Sequence, residues 1–155
     1  LNPLDEPSLR HLTFQIPASL AGLEAMEESA DAMAREAGFD DDDTCHLTMV
    51  LREAAINGVI HGNRRDPDKL VTVTLDLTVN HLVMVVRDRG QGMDPDKLPD
   101  PFAQENLLKT SGRGVLLMRS LMDEVQFTRL DDGMLVRMSK LRPPASPKEA
   151  APGIT

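Results

Sequence analysis

Apolar and polar residues change period several times along the chain, and each change marks an element. His11 to Ile16, HLTFQI, alternates, with Leu12, Phe14 and Ile16 on one side, which predicts a strand that Pro17 ends. Leu20, Leu23, Met26, Ala30, Met33 and Ala37 then recur at helical spacing, with Ser19 as the expected N-terminal cap and Gly38 as the stop. A second helix is expected from about Asp43 to His61, behind the acidic run Asp40–Asp43. Carboxylates suit the positive end of a helix dipole, and consecutive Asp lack the interleaved spacing of a calcium loop. Capping is therefore the better reading.

Val71, Val73, Leu75 and Leu77 alternate with polar residues across Leu70 to Val79, and Leu82 to Arg87 forms a return strand after an Asn80-His81 turn. From Met93 to Ser111 no period holds, and Pro95, Pro99 and Pro101 interrupt the run. Long irregular loops in compact domains are usually functional. A third helix is expected from Gly112 to about Asp123, followed by strands at Val125–Leu130 and Met134–Leu141 joined through Asp131-Asp132-Gly133. These elements predict an α+β, two-layer sandwich, a mostly antiparallel mixed sheet with helices on one face. Residues 1–10 read as a flexible lead-in, 11–141 as the domain, and 142–155 as a flexible Pro-rich tail.

Composition narrows the function. The chain has 155 residues and a net charge of -8, without Trp or Tyr. It therefore lacks the basic surface and aromatic platforms of a nucleic-acid binder, and its nine Met and aliphatics must fill the core. With Cys45 as the only cysteine, a Cys-based zinc site is implausible. No run is apolar enough for a membrane span, and the expected location is cytoplasmic.

The candidate chemistry begins in Leu47 to Asn63, LTMVLREAAINGVIHGN. At about 100° per residue, Glu53, Asn57 and His61 fall on one face of a regular helix, while Leu47, Leu51, Ala54, Ala55 and Gly58 offer a packing surface. Alone, the Glu/Asn pair could be a solvated i,i+4 face. His61 suits a structural hydrogen bond better than a phosphate contact. Asp88 leaves the apolar strand LVMVV, where a carboxylate is costly without donors, and Gly90 and Gly92 permit close backbone approach. The exocyclic amine of adenine is one such donor. The plainer reading is an ordinary Asp-x-Gly turn. Ser111-Gly112-Arg113-Gly114 stands at a helix start, where free N–H groups favour phosphate. Arg113 can add positive charge there or face solvent, and a simple glycine cap is the alternative for the motif.

In order, E-A-A-I-N-G-V-I-H-G-N, D-R-G-Q-G-M and S-G-R-G-V-L-L-M resemble the GHKL, or Bergerat-fold, ATP-binding superfamily. Within it the chain is most similar to the anti-sigma-factor serine/threonine kinases of the RsbW and SpoIIAB type, over about Leu12 to Leu141. The resemblance implies ATP and Mg2+ as cofactors. It implies Glu53 as general base, Asn57 as Mg2+ ligand, and Asp88 as the carboxylate that reads adenine. Gly90 and Gly92, closed by Met93, would form the turn beneath the base. Ser111, Gly112, Arg113 and Gly114, followed by Val115, would form the phosphate-binding end of a lid over residues 94–111.

The implied function is a homodimeric kinase that sequesters a sigma factor and phosphorylates a STAS-domain anti-anti-sigma protein. Two alternatives remain: a non-catalytic ATP-binding module, or a kinase-like domain of a larger phosphatase or response regulator. The first helix carries Glu24, Glu27, Glu28, Asp31 and Glu36 against Arg35, so no partner contact is carried over to it.

Overall fold

The computed structural model describes residues 2–90 and 110–144, with the backbone alone at 110–113. The elements are β1 (Ser8–Ile16), α1 (Leu23–Ala37), α2 (Asp41–Asn57), β2 (Val71–Thr78), β3 (His81–Arg87), α3 (Thr110–Leu121), β4 (Glu124–Leu130) and β5 (Gly133–Leu141). The strands lie in the order β1-β2-β3-β5-β4, and each neighbouring pair is antiparallel. The α+β two-layer expectation holds.

Alternation along the strands decides which side chains meet the helices. Leu12 pairs with Leu75, Phe14 with Val73, Leu75 with Met84, and Met84 with Met138. These residues form the core with Met26 and Met33 of α1, Leu47 and Leu51 of α2, and Met118 of α3. Without Trp or Tyr, unbranched methionines fill the irregular space between helix and sheet. Met26, Met84 and Met138 are fully buried. The opposite face of the sheet is polar at Gln15 and Thr72, whose side chains hydrogen-bond at 2.9 Å.

Among the starts that differ from the sequence expectation, three have causes visible in the chain around them. Helix α1 begins at Leu23, after Leu20 and Gly22 have turned the chain with φ of 63° and 85°. Ser19 therefore caps nothing in α1, and its Oγ instead accepts from Ala21 N at 3.4 Å. Helix α2 begins at Asp41 because Asp40 is the cap, its carboxylate accepting from Asp43 N at 2.8 Å. The acidic run thus acts as a helix start, with Asp41, Asp42 and Asp43 in the first turn. Gly38 does end α1, with φ of 99° and its N–H bonded to the last carbonyls.

The third difference is at the N-terminus, where β1 starts at Ser8 instead of His11 and the preceding segment is anchored. Glu6 accepts from Thr78 Oγ1 at 2.7 Å and Asn80 N at 2.9 Å, and meets His81 Nδ1 at 2.7 Å. Its side chain is only 6% exposed. Arg142 holds the same hairpin from the other end of the chain, donating to the carbonyls of Thr78 and Val79 and to Ala37 of α1. Beyond residue 144 the expected tail lies outside the described residues.

Burial alone pushes the Glu6 carboxyl up, but the hydrogen bonds from Thr78, Asn80 and His81 outweigh it and hold the group below its ordinary value. A depressed carboxylate pKa stabilises the fold above the unfolded-state pKa, and that stabilisation disappears as pH falls through the folded-state value. Glu6→Ala is therefore expected to cost about 1–3 kcal/mol at neutral pH, measured by urea unfolding. The difference from wild type should shrink as the pH drops through the carboxylate range.

Candidate functional site

Ala54 and Ala55 are small and buried, so α2 packs closely on the core. Glu53 and Asn57 emerge on its flank, half-buried and one turn apart. Beyond Asn57 the helix widens into a π turn, Gly58–Gly62, in which Asn63 N bonds to Gly58 O, five residues back, at 2.7 Å. The wider turn rotates His61 away from the line that a regular helix would have drawn through Glu53 and Asn57, and His61 is exposed. Such single π turns recur at functional sites. Arg64 and Arg65 then close the segment at φ of 53° and 58°.

The widened turn brings Gly62 against Asp88, which is half-buried at the end of β3. A Cβ on Gly62 would overlap the Asp88 carboxylate, and one on Gly90 would overlap the Gly62 carbonyl. From the other side Gly133, at φ of 153°, lies against the Asp88 carbonyl. Asp88 Oδ1 accepts from Gly90 N and Met134 N, each at 3.1 Å. Asp132 reaches back to Arg87 Nη2 at 2.6 Å and Arg89 Nη1 at 3.7 Å. Burial pushes the Asp88 carboxyl above the ordinary carboxylate range, against the opposing pull of the Gly90 and Met134 N–H groups and of Arg87 and Lys69. It is a carboxylate short of compensation.

Helix α3 supplies the third wall. A Cβ at Gly114 would stand 2.8 Å from Asn57 Nδ2 and 3.5 Å from Glu53 Oε2, so only a residue without a side chain lets α3 approach this pair undisturbed. The helix begins at Thr110, which puts Ser111, Gly112 and Arg113 in its first turn, where N–H groups lack intrahelical partners. Gly114, expected among the phosphate-binding residues, follows that turn and contributes close approach to Asn57. Val115 is half-buried. Gly92, Met93 and residues 94–109 of the expected lid lie outside the described residues.

Glu53, Asn57 and Gly114 thus meet at one end of the π turn, and Asp88, Gly62 and Gly90 at the other. Gly58 joins the two groups, since a Cβ there would lie 3.7 Å from Asp88 Cβ. The donor set fits a nucleotide: a desolvated carboxylate for an amine, a glycine approach beside a carboxamide, and a helix start for phosphate. Two clefts elsewhere contain none of these residues; one lies beside Asn2, Arg137 and Ser139, the other between Arg35 of α1 and Arg52 of α2. Sequence reasoning missed Asn63 and Met134. Asn63 stood within the quoted motif without a role, and Met134 acts through its backbone, which no side-chain motif reports.

Comparison with known proteins identifies the family of the chain. Residues 16–140 match the model of the histidine kinase-like ATPase domain, and the chain belongs to that family. Membership implies ATP binding. The chain is 28% identical over 136 residues to the serine-protein kinase RsbW of Bacillus licheniformis, covering 84% of each. It is 28% identical over 102 residues to the anti-sigma F factor of Anoxybacillus flavithermus, covering 64% of this chain and 70% of the relative. Over 86 residues, 54% of this chain and 59% of the relative, it is 33% identical to the anti-sigma F factor of Geobacillus stearothermophilus. Among the described residues no helix is long and apolar enough to cross a membrane.

A raised aspartate pKa has a definite sign in the stability. The buried anion costs most above its folded-state pKa, and the cost vanishes below the unfolded-state value. Asp88→Asn, which keeps an acceptor for Gly90 N and Met134 N, should leave the nucleotide-free protein at least as stable as wild type at pH 8. Any advantage should disappear as the pH is lowered, as chemical denaturation across pH will report.

Proposed function

We propose that this protein is an ATP-dependent serine/threonine kinase and anti-sigma factor, which sequesters a sigma factor and phosphorylates a STAS-domain anti-anti-sigma protein to switch between partners. The observation that carries the reading is the meeting of Glu53 and Asn57 with Gly114 on a wall continuous with Asp88. The names of the relatives, serine-protein kinase and anti-sigma factor, support it. The catalytic unit is residues 11–141, acting in the cytoplasm as a homodimer, as the resemblance implies.

In this reading Asp88 accepts a hydrogen bond from the exocyclic amine of adenine, and a carbonyl at the same ring position would be repelled. Gly90, Gly92 and Met93 pass beneath the base. Ser111, Gly112 and Arg113, with Gly114 and Val115 behind them, orient the phosphates through the N-terminus of α3. Asn57 would hold Mg2+ through its carboxamide oxygen. Mg2+ takes few protein ligands beside phosphate oxygens and water, and the Asn57 oxygen would supply one of them. When bound, the ion supplies charge neutralisation at the transferring phosphoryl group.

Glu53 is the general base. It lies one helical turn before Asn57 and is half-buried, within reach of an acceptor hydroxyl brought to the phosphate end. Glu53 Oε takes the proton as the serine or threonine oxygen bonds to the γ-phosphorus and the bond from phosphorus to the bridging oxygen breaks, leaving ADP. With MgATP and a STAS protein from its genomic neighbourhood, Glu53→Gln should lower phosphotransfer by about 10²- to 10⁴-fold, with ATP affinity little changed. Transfer at the wild-type rate would remove Glu53 from the chemistry. No transfer by wild type to any such neighbour would sink the kinase.

A further inference from the structure

The geometry points to Asn63 as the positioning residue that sets purine discrimination, by pinning the peptide that carries Asp88. The inference rests on the adenine-reading role proposed for Asp88. Asn63 is 3% exposed, and its Oδ1 accepts from Arg89 N at 2.6 Å. That N–H belongs to the peptide whose carbonyl is Asp88 O, and Gly133 backs the carbonyl from the other side. The Asp88–Arg89 peptide is therefore held at both ends. The next residue, Gly90, is seated on the Gly62 carbonyl and donates to Asp88 Oδ1. Releasing Arg89 frees the turn that aims the carboxylate.

Among the described residues the buried Nδ2 of Asn63 has no hydrogen-bond partner. The bond at Oδ1 acts on the path of the chain through Asp88-Arg89-Gly90. Recognition groups must be held within about 0.5 Å of their working geometry. A carboxylate free to turn aside would lose its attraction for an amine and its repulsion of a carbonyl together.

The test compares dissociation constants for ATP and inosine triphosphate, which differ at the ring position that Asp88 reads. A ratio of constants is independent of the folded fraction, and a purely structural loss would weaken both nucleotides alike. Wild type should prefer ATP. In Asn63→Ala the preference should fall about tenfold, the worth of one hydrogen bond, whereas Asn63→Asp, which keeps an acceptor, should retain the wild-type ratio. Asn63→Ser, too short to reach Arg89, replaces the alanine variant if that one fails to fold. In wild type the Arg89 amide proton should exchange slowly with solvent.

An unchanged ratio in the alanine or serine variant overturns the inference, as does a collapsed ratio in Asn63→Asp or a freely exchanging Arg89 amide. If wild type itself does not distinguish the two nucleotides, the adenine-reading role of Asp88 has failed instead.

Discussion

An aspartate at the end of a buried strand must draw its donors from whatever chain surrounds it, and here Asp88 draws them from two turns far apart in sequence. Met134 N comes from the start of β5 and Gly90 N from the loop after β3. Both approaches depend on missing side chains, at Gly133 against the Asp88 carbonyl and at Gly90 against the Gly62 carbonyl. The end of β3, the β4–β5 hairpin and the π turn after α2 are fitted around one acidic group. Asp132, bound to Arg87 and Arg89, ties the hairpin to the same point.

The π turn connects that group to the proposed chemistry. A regular continuation of α2 would have kept the period of Glu53 and Asn57 through His61. The inserted residue instead sets Gly62 and Asn63 against Asp88 and Arg89, while Glu53 and Asn57 stay in register with Gly114 of α3. One helix thereby serves both ends of the site. In the proposed reading, base recognition and phosphoryl transfer share a rigid element, so their separation is set by α2 itself.

The strands and the helix stripes were legible because their periods are local: Leu12, Phe14 and Ile16 in β1, Val71 to Leu77 in β2, and Leu47, Leu51, Ala54 and Ala55 in α2 all pack where alternation or helical spacing puts them. What escaped depends on partners distant in sequence or on backbone geometry. Glu6 is ordered by Thr78, Asn80 and His81, more than seventy residues on, and no local pattern announces that. Ser19 resembles a cap in sequence, but the positive φ angles at Leu20 and Gly22 move the helix start past it. The π turn escaped for a third reason: Gly58, whose Cβ would lie 3.1 Å from Val71, is tight against β2, a constraint that helical periodicity does not encode.

The site was legible in its side chains and obscure in its supports. Glu53, Asn57 and Asp88 announce themselves as polar residues on apolar elements, whereas the groups around them are a backbone N–H at Met134, an amide at Asn63 and close approaches at glycines. In the proposed reading, the same division explains why stability and recognition oppose one another at Asp88. Burial raises the cost of its charge, and the protein's own N–H groups offset that only in part. More protein donors would relieve the strain but would satisfy the carboxylate before a ligand arrived. Partial compensation keeps the acceptor available, and a nucleotide amine that completes the set would stabilise the folded state through binding linkage. In the proposed reading, the cost carried by the nucleotide-free protein is what makes Asp88 selective for the base that can relieve it.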